Sequence, residues 1–389
     1  MVAKSLYNAC KEIYREGVAS TKLVGGYETN FEWYTQADID ANVADIAAGE
    51  ATGCTFGDSD QSKVLLVMDS TINIPAGYTL KPVSPKKSLV ICCNTFVNNG
   101  NISMSGKGPN ILSHSWFLLG HLDYYGADND IIVPAYANNR VEPSFSEKVA
   151  TVQGANGTNG TNRNCGAGGA GGRHARVGNL SGYSGASGSG YAFGGGAGSG
   201  GVLYKNNSGN GISVDTTYPM RGSNFVNYEG YDSAVSGGVG NPSGGYSWTN
   251  VTNHGSYANP SDSGVGGRII IYCNTFENNG GIKVNGVSNS WTFDKYNCWI
   301  INGGASGAGA VDVFYTELVS EGTIEAYGGS QANQSSSQSP LIKGGNGGNG
   351  SITLLNWDIE KVVRAQQKYM SKSNMAYFLQ ELVNKINGD

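Results

Sequence analysis

Residues 89–106 and 269–286 carry one pattern of apolar and polar positions. The first reads LVICCNTFVNNGNISMSG and the second IIIYCNTFENNGGIKVNG, and ten of their eighteen positions are identical. A degenerate copy follows at 311–328, where Val313-Phe314-Tyr315 replaces the apolar run and Leu318 takes the Phe position. Gly322, Ile324 and Gly328 keep the G-x-I-x-x-x-G spacing, and a half copy closes the series at 350–355. Upstream, Val64 to Val67 followed by the Ile72–Leu80 alternation fits one more copy.

An apolar, β-branched run of about four residues predicts a strand. The N-x-F-x-N-x-G stretch predicts a turn, because Asn and Gly tolerate positive φ, with the Phe buried at the corner. The alternation of Ile282 and Val284 predicts a second strand with one buried face. Copies two to four are each preceded by a glycine tract, at 264–267, 303–309 and 344–350. Strand, turn, strand and glycine segment in regular succession is the grammar of a β-solenoid.

The longest glycine tract has a period of its own. Glycine falls at 154, 157, 160, 166, 169, 172 and 178, with Ala175 in phase and Arg163 the exception. After a one-residue shift the period continues at 182, 185, 188, 194 and 200, with Ala197 in phase. Period three matches the three residues per turn of a polyproline II helix, and glycine lets such helices approach closely. Collagen is excluded by broken phase and by the lack of proline between Pro143 and Pro219. Recurrent phasing with Tyr183, Tyr191 and Phe193 interspersed argues against a flexible linker.

Helical spacing appears outside the repeats. Residues 1–17 carry Leu6, Ala9, Cys10, Ile13 and Tyr14; a short helix is predicted at 37–48 after Thr35. From Asp358, apolar residues recur at three and four through Ile386, interrupted near Ser371 to Asn374. These ends either dock to a larger assembly or cap the repeat stack. The organisation is therefore 1–60, a helical attachment region; 61–106, the first β-repeats; 107–262, an inserted glycine array with aromatic loops; 263–356, the later β-repeats; and 357–389, an amphipathic helix. The fold class is mainly β, with solenoid-like repeats, a packed array of polyproline II-type glycine helices and short helices at both termini.

Composition sharpens this. Sixty glycines stand beside ten prolines, while charged residues reach only 14 % and aromatics 10 %, with 22 tyrosines. Disordered chains show the opposite balance. A net charge of −5 and the lack of a dense basic run argue against nucleic acid; Arg163, Arg173, His174 and Arg176 are too sparse. The N-terminus shows no signal-peptide pattern and no apolar run is long enough to span a membrane. Seven cysteines are scattered without CxxC and read as buried thiols.

Candidate chemistry is thin. No Asp or Glu lies between Glu147 and Asp215; Asp215, Glu229, Asp232 and Asp262 are isolated in loops, and Asp312 and Glu325 lie within repeat strands. The four histidines form no metal motif, and the G-x-G-x-x-G strings lack a following helix. Neither catalytic residues, a cofactor nor a metal is therefore expected. A segment dense in Tyr, Asn, Ser and Gly on a rigid scaffold has instead the composition of a recognition surface, because flat aromatic faces stack on sugars and proteins. The candidate receptor-binding residues are Tyr218, Tyr228, Tyr231, Tyr246, Trp248 and Tyr257, all in the insertion.

The F-x-N-x-G-x-I-x-x-x-G repeats, alternating with GGxGG-type tracts, resemble those of phage tail-fibre and tail-tip adhesins. Residues 154–201 are similar to the polyglycine-helix sandwich of receptor-binding adhesins from T-even-like phages. The resemblance covers about 85–355 at family level. It implies a virion component that attaches to a host cell-surface receptor, glycan or protein, beside other tail proteins, with a homotrimer as one subunit arrangement. Here the repeats flank the glycine region and the chain carries its own helical ends. No individual binding residue is carried over; only the aromatic loops correspond. A purely structural tail or baseplate fibre and a polysaccharide depolymerase are the alternatives. Amide exchange separates a packed glycine array from a linker. Slow exchange through 154–201 is expected, and exchange at random-coil rates there refutes the array.

Overall fold

The computed structural model of the chain describes residues 31–61, 63–109, 154–161, 163–169, 194–196, 198, 265–288, 304–331 and 343–356, together with short strands at 124–125, 130–131, 143–146, 173–175, 182–185, 202–204, 227–228, 231–235, 298–301 and 341–342. The segments 1–17 and 358–386, expected to be helical, lie outside the described residues, as does most of the insertion.

The protein is mainly β, built on three parallel sheets. The first has the order Phe31–Tyr34, Val64–Met68, Ser88–Cys92, Arg268–Tyr272, Ala310–Tyr315, Ser351–Asn356. The second runs Thr71–Ile74, Thr95–Asn98, Thr275–Asn278, Glu317–Ser320, and the third Thr79–Leu80, Asn101–Ser103, Gly281–Lys283, Thr323–Glu325. Each complete copy thus contributes one strand to every sheet, in the same order. Leu89 pairs with Ile269 and Ile269 with Val311, so hydrogen-bond register follows the sequence repeat residue for residue. Strand Phe31–Tyr34, which no sequence pattern announced, extends the first sheet beside Val64–Met68.

The N-x-F-x-N stretch differs from expectation. It forms a strand, not a turn, and its asparagines do not sit at positive φ; among described non-glycine residues only Arg163 does. Their work is lateral. Asn98 Nδ2 donates to Asn278 Oδ1 at 2.7 Å, Asn274 Nδ2 to Asn94 Oδ1 at 3.2 Å, and Asn279 Nδ2 to Asn99 Oδ1 at 3.0 Å. Asn98 and Asn278 are fully buried, where an amide needs such a partner. Phe96 and Phe276 stack at 5.3 Å in the core beneath them. Leu318 does pair with Phe276, but an irregularity after that position leaves it 42 % exposed. Tyr315 meets the Phe276 ring in its place, at 6.4 Å.

The main core lies between the sheets, where Leu65, Leu89, Ile269 and Val311 meet Ile72, Phe96, Ile102 and Ile282. The first sheet is also buried on its other face, which is why its strands read as continuous apolar runs. The helix Gln36–Ala48 forms where predicted. The Asp38 carboxylate accepts from the Thr35 amide at 2.7 Å at its start, and Gly49 at φ 78° ends it. Its apolar side, Ile39, Val43 and Ile46, faces the core beside the upstream copy at 64–80.

Glycine segments precede the later copies and hold the insertion against them. The amides of Gly154, Gly157 and Gly160 donate to the carbonyls of Lys343, Asn346 and Asn349 at 2.7–2.8 Å, a three-residue step on both sides. Those of Gly166 and Gly169 donate to Ala308 and Ala305, and those of Ala305 and Ala308 to Gly345 and Gly348. Such approach leaves no room for side chains: a Cβ on Gly348 would lie 2.0 Å from the Thr158 oxygen. Gly348→Ala should therefore destabilise the fold by about 1–3 kcal/mol or more, because backbone must move on both segments. Gly53→Ala, where a Cβ meets nothing within 4 Å, should stay within about 0.5 kcal/mol. Equal melting shifts for the two variants would remove the close-packing explanation.

Candidate functional site

The insertion departs from the repeats after the third-sheet strand Asn101–Ser103 and returns at the first-sheet strand Arg268–Tyr272. Its two ends are joined to each other there. The Gly108 amide donates to the Val265 oxygen and the Gly267 amide to the Met104 oxygen, both at 2.8 Å. Between them, the described glycine segments lie against the later repeats as set out above.

A second attachment is ionic. Arg163 occupies a glycine phase position and keeps a glycine-like backbone, φ 69°. Its Nε donates to Asp312 Oδ1 at 2.9 Å, and Arg268 Nε donates to Asp312 Oδ2 at 2.9 Å with Nη2 on the same oxygen. Asp312 lies in the Ala310–Tyr315 strand on the row shared with Val90 and Ile270, and all three charged side chains are almost wholly buried. The Arg163 guanidinium also sits 5.2 Å above the Phe314 ring, which stacks on Tyr272 at 4.9 Å.

Burial pushes the Asp312 carboxyl upward, but the two guanidiniums outweigh it and hold the group below the ordinary aspartate value. Burial drives the neighbouring Cys165 thiol up to about 12, with only partial relief from Arg268. A carboxylate held between two arginines is a poor base, and a thiol kept protonated is a poor nucleophile. The cluster is thus suited to fixing the glycine tract on the strand. Sequence reading noticed Arg163 as a phase break and Asp312 as a strand carboxylate, but did not join them. The signal was a lone charge in the run Val311-Asp312-Val313-Phe314.

Of the residues expected to bind a receptor, Tyr228 and Tyr231 are brought together. They are register partners in the antiparallel pair Asn227–Tyr228 and Tyr231–Val235. That pair continues in parallel to Cys298–Ile301 and Leu341–Ile342, which lead into the glycine segments of the later copies. Tyr218, Tyr246, Trp248 and Tyr257 lie outside the described residues. Among described residues, no three His, Cys, Asp or Glu side chains gather as a metal site would require, and no helix is long and apolar enough to cross a membrane. Cys92, Cys93, Cys165 and Cys273 are buried thiols. No protein-family profile, curated protein or solved structure matches the chain.

Asp312→Asn would leave two buried guanidiniums without their anion and should cost about 3–5 kcal/mol. Arg163→Gly should cost less, since it retains the Arg268 pair and relieves a left-handed backbone worth about 1–2 kcal/mol. The depressed Asp312 group adds stability at pH above its unfolded value of 3.8, and that part is lost as pH falls through the lower folded value. Denaturant titrations from pH 7 to 2 should show a smaller acid loss in Asp312→Asn than in wild type. Parallel acid curves would show that the carboxylate is not the linked group.

Proposed function

We propose that the chain is a phage tail-fibre or tail-tip adhesin, whose repeats form a β-solenoid and carry the insertion as a receptor-binding head. In this reading the glycine segments are polyproline II-type helices packed side by side. Their support is the three-residue step of lateral hydrogen bonds and the lack of room for a Cβ between neighbours.

The observation that carries the functional reading is the mounting of the insertion. Its ends are bonded together, its glycine segments are bonded to the later copies, and Arg163 is paired with Asp312. A recognition surface gains affinity when its loops are held in place before contact, because less ordering entropy opposes binding. Tyrosine pairs such as Tyr228 and Tyr231 supply broad contact area at low entropy cost. The receptor class is a surface glycan or surface protein, and other tail components hold the far end.

The purified full chain should bind intact host cells saturably, and the paired change Tyr228→Ala/Tyr231→Ala should weaken binding at least about tenfold, roughly 1.4 kcal/mol, with the melting temperature kept. Tyr218, Tyr246, Trp248 and Tyr257 are tested in the same way. A chain that assembles into virions but binds no cells would be a structural fibre. Release of reducing ends from host polysaccharide would make it a depolymerase, and either result overturns the adhesin reading.

A further inference from the structure

At the opposite end of the repeat series from the glycine-bonded copies, a cleft of about 670 Å³ opens between the helix Gln36–Ala48 and the loop that follows the second-sheet strand Thr71–Ile74. Its volume is in the range of small-molecule sites. Val43, Ile46, Tyr78 and Pro82 give it apolar walls, and Lys81 and Lys107 are the charged residues in its lining. Among the described residues lining it, none is acidic.

The walls are held in place. Tyr78 Oη donates to Asn42 Oδ1 at 2.8 Å in a buried bond, fastening loop to helix, and the Asn42 amide donates to Thr55 Oγ1 at 3.3 Å. Lys107 Nζ donates to the oxygen of Val83, another residue of the lining. Burial and the Lys81 charge both disfavour the charged form of Lys107. Two like charges beside an apolar hollow repel each other, and an anion between them would remove that cost. The apolar walls offer little to a sugar, whose hydroxyls each need a polar partner.

We propose that this cleft binds an amphipathic anion, a carboxylate or sulfonate with a hydrocarbon body, whose charge lies between Lys81 and Lys107 and whose body lies on Val43, Ile46 and Pro82. The chain's own residues 1–17 match it poorly. They pair an apolar stripe with Lys4, Lys11 and Arg15 against only Glu12 and Glu16, an excess of the same sign as Lys81 and Lys107. Of the insertion the cleft takes only its first residue, Lys107, and the proposal does not depend on the adhesin reading.

Two fluorescent probes with the same rings test this on the full chain. 8-Anilinonaphthalene-1-sulfonate carries the charge and N-phenyl-1-naphthylamine lacks it. One sulfonate should bind per chain and be displaced by decanoate. Lys81→Gln/Lys107→Gln should weaken the sulfonate at least about tenfold and the neutral amine less than about twofold. Ala47→Trp, which fills the cleft, should abolish both. If the double variant loses its fold by circular dichroism, Lys81→Gln alone should still give at least about a threefold loss for the sulfonate. Unchanged sulfonate binding in the lysine variants overturns the proposal, as does an equal loss of both probes. It is likewise overturned if the sulfonate binds only after Leu6, Ile13 and Tyr14 are changed to Asp, because the chain's own segment would then be the occupant.

Discussion

Backbone groups removed from water must find partners, and in this protein a large share find them sideways, across glycine segments too close to admit a side chain. The amide of Gly348 donates to Ala167 while its Cα faces the Thr158 oxygen; Gly307 donates to Gly196 and faces Gly166. The hydrogen on each Cα points where a Cβ would collide, so weak Cα–H···O contacts reinforce the amide bonds. Sixty glycines are the compositional consequence. Glycine loses more backbone entropy on ordering than any other residue, so these segments hold only because every third amide is satisfied by a neighbour.

Two kinds of buried polarity then fix which segment lies against which. The asparagine pairs 98–278, 94–274 and 99–279 bind copy to copy within the sheets. A slip of one residue would strand buried amides without partners, each costing about 1–3 kcal/mol. The Arg163–Asp312–Arg268 cluster performs the same office between the insertion and the sheet. A glycine tract has no side chains with which to recognise a register, and a single arginine supplies one. Near the other end, Lys86 meets Glu32 and Asp58, tying the edge strand Phe31–Tyr34 to the stack.

Much of the fold was legible because the repeat is literal. Register follows the sequence match, and the helix at 36–48 begins at its Thr35 cap as its spacing indicated. Three features were hidden for physical reasons. The N-x-F-x-N stretch looks like a turn because asparagine favours turns in isolation, whereas stacking of identical copies turns it into a hydrogen-bonding ladder. Phe31–Tyr34 has only four residues, too short to show a period. Asp312 and Arg163 are 149 positions apart, so only the folded chain could pair them. The candidate tyrosines were chosen by composition, which points to a segment and cannot order its residues by importance.

The direct pairing of Ser88–Cys92 with Arg268–Tyr272 has a kinetic side. Asn98 meets a partner 180 positions away, while later copies meet partners 42 away. The ratio of these loop lengths alone adds about 1.3 kcal/mol of closure entropy to the first contact. Val64–Met68 and Ser88–Cys92 lie closer in sequence than Arg268–Tyr272 and Ala310–Tyr315, so each set of copies can pair locally before the long junction between them closes. The N-terminal copies, made first, present the Ser88–Cys92 edge until Arg268–Tyr272 emerges, and a chain halted within the insertion would leave that edge open to whatever strand it meets.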